Sequence, residues 1–225
     1  MADVGDVYED TYQRFTELAA ALSEEELAMP VVACPGWSAK DTIGHVAGIA
    51  VDLVGGHGQV AQPDSTARQV EERRTRSIED VLAEWAEAVP PLIELLRAAG
   101  SGLTAVAIDV WSHEQDVRNA IGRVGGREAP GRDLTLKAAV SADQRITAAG
   151  LPPMHLITGD KTWFLGEGAR EGADVRLDLD PYEAARMLMG RRTYDEIAAY
   201  PWVGDATPYM PLLHQFTVPE QPLGE

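Results

Sequence analysis

Asp109, His113 and Asp116 are the residues whose types and spacing first point to chemistry in this chain. Leu103, Val106, Val110, Val117 and Ile121 recur at helical spacing, and His113 takes the rung between Val110 and Val117 where an aliphatic side chain belongs. Offsets of four and three residues put Asp109 and Asp116 on the same helix face as the imidazole. Burying two carboxylates and an imidazole costs on the order of several kcal/mol unless they are paired, hydrogen-bonded or bound to a cation. The spacing therefore predicts a metal site, with a metal-free polar cluster as the alternative.

A second histidine, His45, lies beside the apolar face formed by Ile43, Val46, Ile49, Ala50 and Leu53. Asp41 precedes it by four residues and could mimic a ligand pair. Ser38 and Asp41, however, have the spacing of a capping box, and a helix N-terminus needs acceptors for its free N–H groups, so Asp41 is assigned to the cap. His45, Asp109 and His113 together would supply three protein ligands. Three ligands leave a coordination position open, which separates a catalytic zinc site from a closed structural one.

The elements that must position these groups are amphipathic helices. Tyr8, Tyr12, Phe15, Leu18 and Leu22 mark the first, and Ser23 to Leu27 starts a short turn that Pro30 stops. The second runs from the Ser38 cap to about Val54. Gln59 to Thr75 reads as a loop that turns helical only at its end. Ser77 caps the third helix, carried by Ile78, Val81, Leu82, Trp85, Leu92, Leu95 and Leu96, and Pro90-Pro91 are expected to kink or break it. Gly100 and Gly102 close it, and Gly122 ends the fourth. The expected fold is mainly α: a four-helix bundle over residues 1–124, with metal ligands projecting inward from facing helices.

From residue 125 the composition changes. Gly125 to Arg132 reads as a Gly/Pro-rich linker and Leu134 to Ala149 as a helix. Residues 155–158, 162–165 and 175–179 read as two or three antiparallel strands, followed by helices from Asp180-Pro181 and from Thr193 or Asp195. Residues 125–225 are thus expected to hold the linker and a small α/β C-terminal domain, with the tail from Pro208 extended. Arg191 and Arg192 could meet an anionic substrate carboxylate, or could simply complement a helix dipole. His155 and His214 have no acid or histidine at ligand spacing and are assigned structural roles, and His57, amid glycines, a loop role.

Composition narrows the partners. Acidic residues outnumber basic ones by 36 to 19 in 225 residues, a net charge of −17, which disfavours nucleic acid and anionic membranes. The one cysteine, Cys34, cannot form an internal disulfide, and its place before Pro35-Gly36 argues for packing rather than reactivity. An acidic N-terminus without an apolar signal-peptide core and a longest apolar stretch interrupted by His45 and Asp52 indicate a soluble, cytoplasmic protein.

Two motifs carry a resemblance. The turn Cys34-Pro35-Gly36-Trp37-Ser38 leading into the His45 helix, together with the run Asp109 to Arg118, resembles the actinobacterial mycothiol-dependent maleylpyruvate isomerase family within the wider DinB-like metal-binding bundles. The likeness extends through Thr162-Trp163, Asp180-Pro181-Tyr182-Glu183 and Thr193, and so over most of the chain. It implies a DinB-like bundle that binds a divalent metal, usually zinc, through His45, Asp109 and His113. The isomerases carry glutamate at the position of Asp109; the aspartate is one methylene shorter, so it reaches the metal only if the helices lie closer or a water intervenes. Asp116 matches a residue that orients an imidazole N–H.

The resemblance further implies mycothiol as thiol cosubstrate and a small electrophilic molecule as substrate, with isomerisation and thiol transfer both open. A non-catalytic metal- or ligand-binding protein and a metal-dependent hydrolase are the alternatives. The residues assign neither substrate nor oligomeric state.

Overall fold

The computed structural model describes residues 3–168 and 173–225. The chain divides into two compact units, one ending at Gly131 and the other running from Arg132 to Glu225. In the first unit α1 (Val4–Ala20), α3 (Ala39–Val54), α5 (Ile78–Ala99) and α6 (Thr104–Ala120) form a four-helix bundle, with α2 (Glu24–Leu27) and α4 (Pro63–Arg74) beside it. The periodic apolar residues face inward: Phe15, Ile43, Trp85, Leu92, Leu96 and Val110 are fully buried. Trp85 is the hub on α5. Its indole N–H donates to the Tyr8 hydroxyl at 2.9 Å, and Tyr12 and Phe15 meet its ring edge-on at 5.0 and 5.9 Å. Each such aromatic pair contributes about 0.5–1.5 kcal/mol beyond its buried area.

α6 is buried along the unbroken run Val110–Val117, more than an amphipathic helix requires. Its outer side is covered by residues 125–131, which belong to the first unit. The Trp111 indole donates to the Gly126 carbonyl at 3.1 Å, and Gly131 approaches that ring so closely that a Cβ would stand 2.5 Å from it. The stretch expected to be a linker is therefore packed against the bundle.

Two further expectations are corrected. Pro90 and Pro91 leave α5 continuous from Ile78 to Ala99. Both prolines are exposed, as are Ala86 and Glu87, whose carbonyls lose their helical donors, so water can satisfy those groups. The stretch 59–75 holds α4, which begins with Pro63 at its first turn, where a missing N–H costs nothing. The apolar sequence within Ile78–Ala120 is long and apolar enough to cross a bilayer by composition. It is instead divided between two helices at Gly100 (φ 54°), and Trp85, Leu92 and Leu96 lie in the bundle core.

In the second unit α7 (Pro130–Thr135) continues from the first, and a 3₁₀ turn over Leu136–Ala138 leads into α8 (Ala139–Ala148), so the helix expected from Leu134 is two pieces. Strands β1 (Met154–Thr158), β2 (Lys161–Leu165) and β3 (Val175–Leu179) form a sheet in the order β2-β1-β3. β1 pairs antiparallel with β2 but parallel with β3, Met154 facing both Leu165 and Val175. This corrects the expected all-antiparallel sheet: alternation fixes which face is buried but not which neighbour a strand takes. Helices α9 (Pro181–Leu188), α10 (Tyr194–Ala198) and α11 (Met210–Leu213) follow, the last a short turn in the tail expected to be extended.

α4 can lie close to α3 because α3 presents Gly44 and Gly48. A Cβ on Gly48 would stand 2.6 Å from Cβ of Gln69. Gly48→Ala should therefore lower stability by about 1–3 kcal/mol, the usual cost of overpacking, read as a lower denaturation midpoint. An unchanged midpoint would mean that α4 is not held there.

Candidate metal centre

Ser38 accepts from the Asp41 N–H at 3.1 Å, and the Asp41 carboxylate accepts from the Ser38 N–H at 3.0 Å, closing the capping box that starts α3. One turn on, His45 is buried at 5% exposure, and Trp37 covers it with ring centroids 4.9 Å apart. α6 brings His113 opposite, the two imidazoles meeting edge-on at 5.2 Å. Asp109 stands between them, its Oδ1 3.5 Å from His113 Nε2 and its Oδ2 4.0 Å from His45 Nε2. Its side chain remains 32% exposed, so the cluster has one open side. Ligand atoms about 2.1 Å from a tetrahedral zinc lie about 3.4 Å apart. The spacings found here are close to that, and the three residues satisfy the geometry of a metal-holding group.

The far side of His113 is closed. Its Nδ1 lies 3.1 Å from Oδ2 of the fully buried Asp116. Cys34, partly buried in the turn before α3, brings Sγ to 3.7 Å from that same nitrogen and 3.8 Å from Asp116. Cys34, His113 and Asp116 thus form a second group able to hold an ion, overlapping the first at His113. Spacing along the sequence did not suggest this: Cys34 and His113 meet only because the 34–38 turn folds over α6. Its signal was the motif shared by the turn and the two histidines.

Electrostatics divides the two histidines. Burial holds His45 down to about 4, outweighing the pull of Asp109 toward the charged form, with His113 opposing protonation. Burial also opposes charge on His113, but Asp109, the Cys34 sulfur and Asp116 outweigh it and raise the group well above its ordinary value. Without a metal, burial thus favours the neutral ring at His45, while Asp109, Cys34 and Asp116 favour the charged ring at His113.

Arg191 and Arg192 belong to the second unit. Arg192 is buried, and its guanidinium donates to Glu183 at 2.9 and 2.7 Å and to Glu225 at 2.9 Å. Carboxylates of the chain itself therefore take the donors that were expected to meet a substrate. Arg191 donates to the Met189 carbonyl at 3.0 Å.

With this geometry in hand, residues 8–124 match the family described as mycothiol maleylpyruvate isomerase N-terminal domain. Two solved structures share the fold. A histidine-to-alanine mutant of the mycothiol-dependent maleylpyruvate isomerase aligns with a TM-score of 0.60 at 16% identity, covering 86% of this chain and 90% of that one. The unmutated mycothiol-dependent maleylpyruvate isomerase gives 0.59 at 16% identity, covering 84% and 88%. Compared with curated proteins, the chain matches none.

The histidines should titrate apart in the metal-free protein. By NMR, His45 should stay neutral until the pH falls to about 4, while His113 stays protonated through neutrality. The depressed His45 contributes stability that is full above its ordinary 6.5 and is lost as pH falls toward 4. The raised His113 does the opposite: its contribution is full below 6.5 and is lost as pH rises through its elevated value. Two histidines titrating together near 6.5 would contradict this electrostatic picture.

Proposed function

The chain belongs to the mycothiol maleylpyruvate isomerase N-terminal domain family, and from that premise we propose that it is a metal-dependent, mycothiol-dependent isomerase or thiol transferase acting on an electrophilic small molecule. The observation that carries the proposal is the convergence of His45, Asp109 and His113 on one partly open point. Zinc is the ion this donor set suits, two imidazoles and a carboxylate with a free fourth position. When bound, it would supply Lewis acidity that lowers the pKa of a coordinated thiol.

The protein's own residues then have distinct tasks. His45 is neutral and presents a lone pair at Nε2. His113 must give up its proton to present Nε2, while its Nδ1–H donates to Asp116 and so fixes the ring. This is the carboxylate–histidine arrangement that holds ligating imidazoles in one orientation. Asp109 reaches the point despite its short side chain because α3 and α6 approach closely enough to place its two oxygens between the rings. Trp37, beside both imidazoles at 4.9 and 6.3 Å, shields the pair from water.

In an isomerisation the thiolate sulfur adds to one carbon of a conjugated double bond. The resulting single bond rotates, and expulsion of the thiolate restores the double bond with no net change of redox state. In a transfer the adduct is protonated and leaves as the conjugate. Maleylpyruvate, the compound in the family's description, is the first substrate to try. The lone Cys34 and a thiol cosubstrate both suit a reducing cytoplasm.

Protein purified without chelators should carry about one divalent ion, as a single three-ligand site implies. His45→Ala and His113→Ala should each weaken binding by at least the roughly 100-fold that loss of an outer partner can cost. Turnover should require added mycothiol; turnover without any thiol would favour hydrolysis, and metal binding with no turnover a binding protein. Because His113 must deprotonate, binding near pH 7 should release about one proton per ion, measurable by calorimetry in buffers of different ionisation enthalpy. Zero proton release would contradict the cationic His113.

A further inference from the structure

Beyond the three converging ligands, α4 places an unassigned side chain against His45. Gln69 is fully buried. Its amide nitrogen donates to Asp52 Oδ2 at 2.6 Å and to the Val60 carbonyl at 3.1 Å. Asp52 is itself held by Arg68 at 2.7 Å. Both N–H groups of the carboxamide are therefore committed, and its orientation is set: the oxygen must point away from Asp52.

That oxygen, Gln69 Oε1, and His45 Nδ1 are two buried polar atoms without a hydrogen-bond partner among the described residues. Leaving both unmet would cost on the order of 1–3 kcal/mol each. The Gln69 side chain lies near enough to His45 to favour its protonated ring. Gly48, one turn beyond His45 on α3, makes room, since its missing Cβ is the space that Gln69 Cβ and Cγ occupy.

We infer that Gln69 is a positioning residue: its Oε1 and His45 Nδ1 make no hydrogen bond in this structure, and a small closing of the two side chains lets Oε1 accept the Nδ1–H, locking the tautomer whose Nε2 lone pair faces Asp109 and His113. Arg68 and Asp52 hold the carboxamide against flipping. His113 has its Nδ1 partner in Asp116, and Gln69 is the neutral counterpart for His45. The difference matches their charges, since a carboxamide does not draw a second proton onto a buried ring as a carboxylate does. The inference rests on the metal-site reading for its purpose, but not for its geometry.

The test is the tautomer of His45 in metal-free protein, read from two-bond ¹H–¹⁵N correlations in histidine-labelled samples, with His45→Ala identifying the signal. The parent should show Nδ1 protonated and Nε2 bare. Gln69→Met should lose that preference and bind zinc about 10–100-fold more weakly, the usual cost of removing an outer partner, with the His113 signals unmoved. A proton on Nε2 in the parent would overturn the inference, as would a Gln69→Met variant with the parent's tautomer and zinc affinity, even if it melted earlier. A parent that takes up no zinc would defeat the metal-site reading alone, and the tautomer comparison would still decide the role of Gln69.

Discussion

The structure depends on charge buried along α6. Glu114 and Asp116 are fully buried, His113 nearly so, and Asp109 is largely enclosed. None of these groups is tolerated in a helical core without compensation. Glu114 has its answer within the protein, since Arg14 from α1 reaches it at 2.9 Å and Arg118 from α6 at 2.9 Å. That network binds α1 to α6 at one level of the bundle. On the same helix Asp109 and Asp116 flank the His113 imidazole, at 3.5 and 3.1 Å. A divalent ion that displaces the His113 proton would bring two carboxylates and two neutral imidazoles to zero net charge.

That requirement explains features otherwise unrelated. Glycines on α3 admit α4, α4 brings Gln69, and Gln69 addresses the far nitrogen of His45. The turn at 34–38 does two tasks: Ser38 starts α3, so that His45 falls one turn inside the helix, and Trp37 and Cys34 close over the imidazoles. Asp109, for all its short side chain, stands 3.5 Å from His113 and 4.0 Å from His45.

Much of this was legible in the sequence because helix physics is local. The rung His113 shares with Val110 and Val117, the capping box of Ser38 and Asp41, and the glycine ends at Gly100 and Gly122 each follow from spacing of a few residues. What was not legible depends on distant chain. Cys34 and His113 lie 79 positions apart, and no periodicity relates them. The buried face of α6 could be read, but not that residues 125–131 would cover its other side. α4 was hidden because its moderate apolar pattern and polar composition resemble a loop, and Gln69 was hidden with it. Pro90-Pro91 misled because their cost depends on which side of α5 faces water. Arg192 looked available for a ligand because its partner Glu225 is 33 positions away.

The two overlapping donor groups at His113 make the central claim sharp: the ion belongs to the nitrogen that faces His45 and Asp109, not to the one that faces Cys34. Zinc K-edge X-ray absorption on the loaded protein separates them directly. The account predicts only nitrogen and oxygen neighbours at about 2.0–2.2 Å, with the outer scattering of two imidazoles. A sulfur neighbour at about 2.3 Å would place the ion on Cys34 and contradict it.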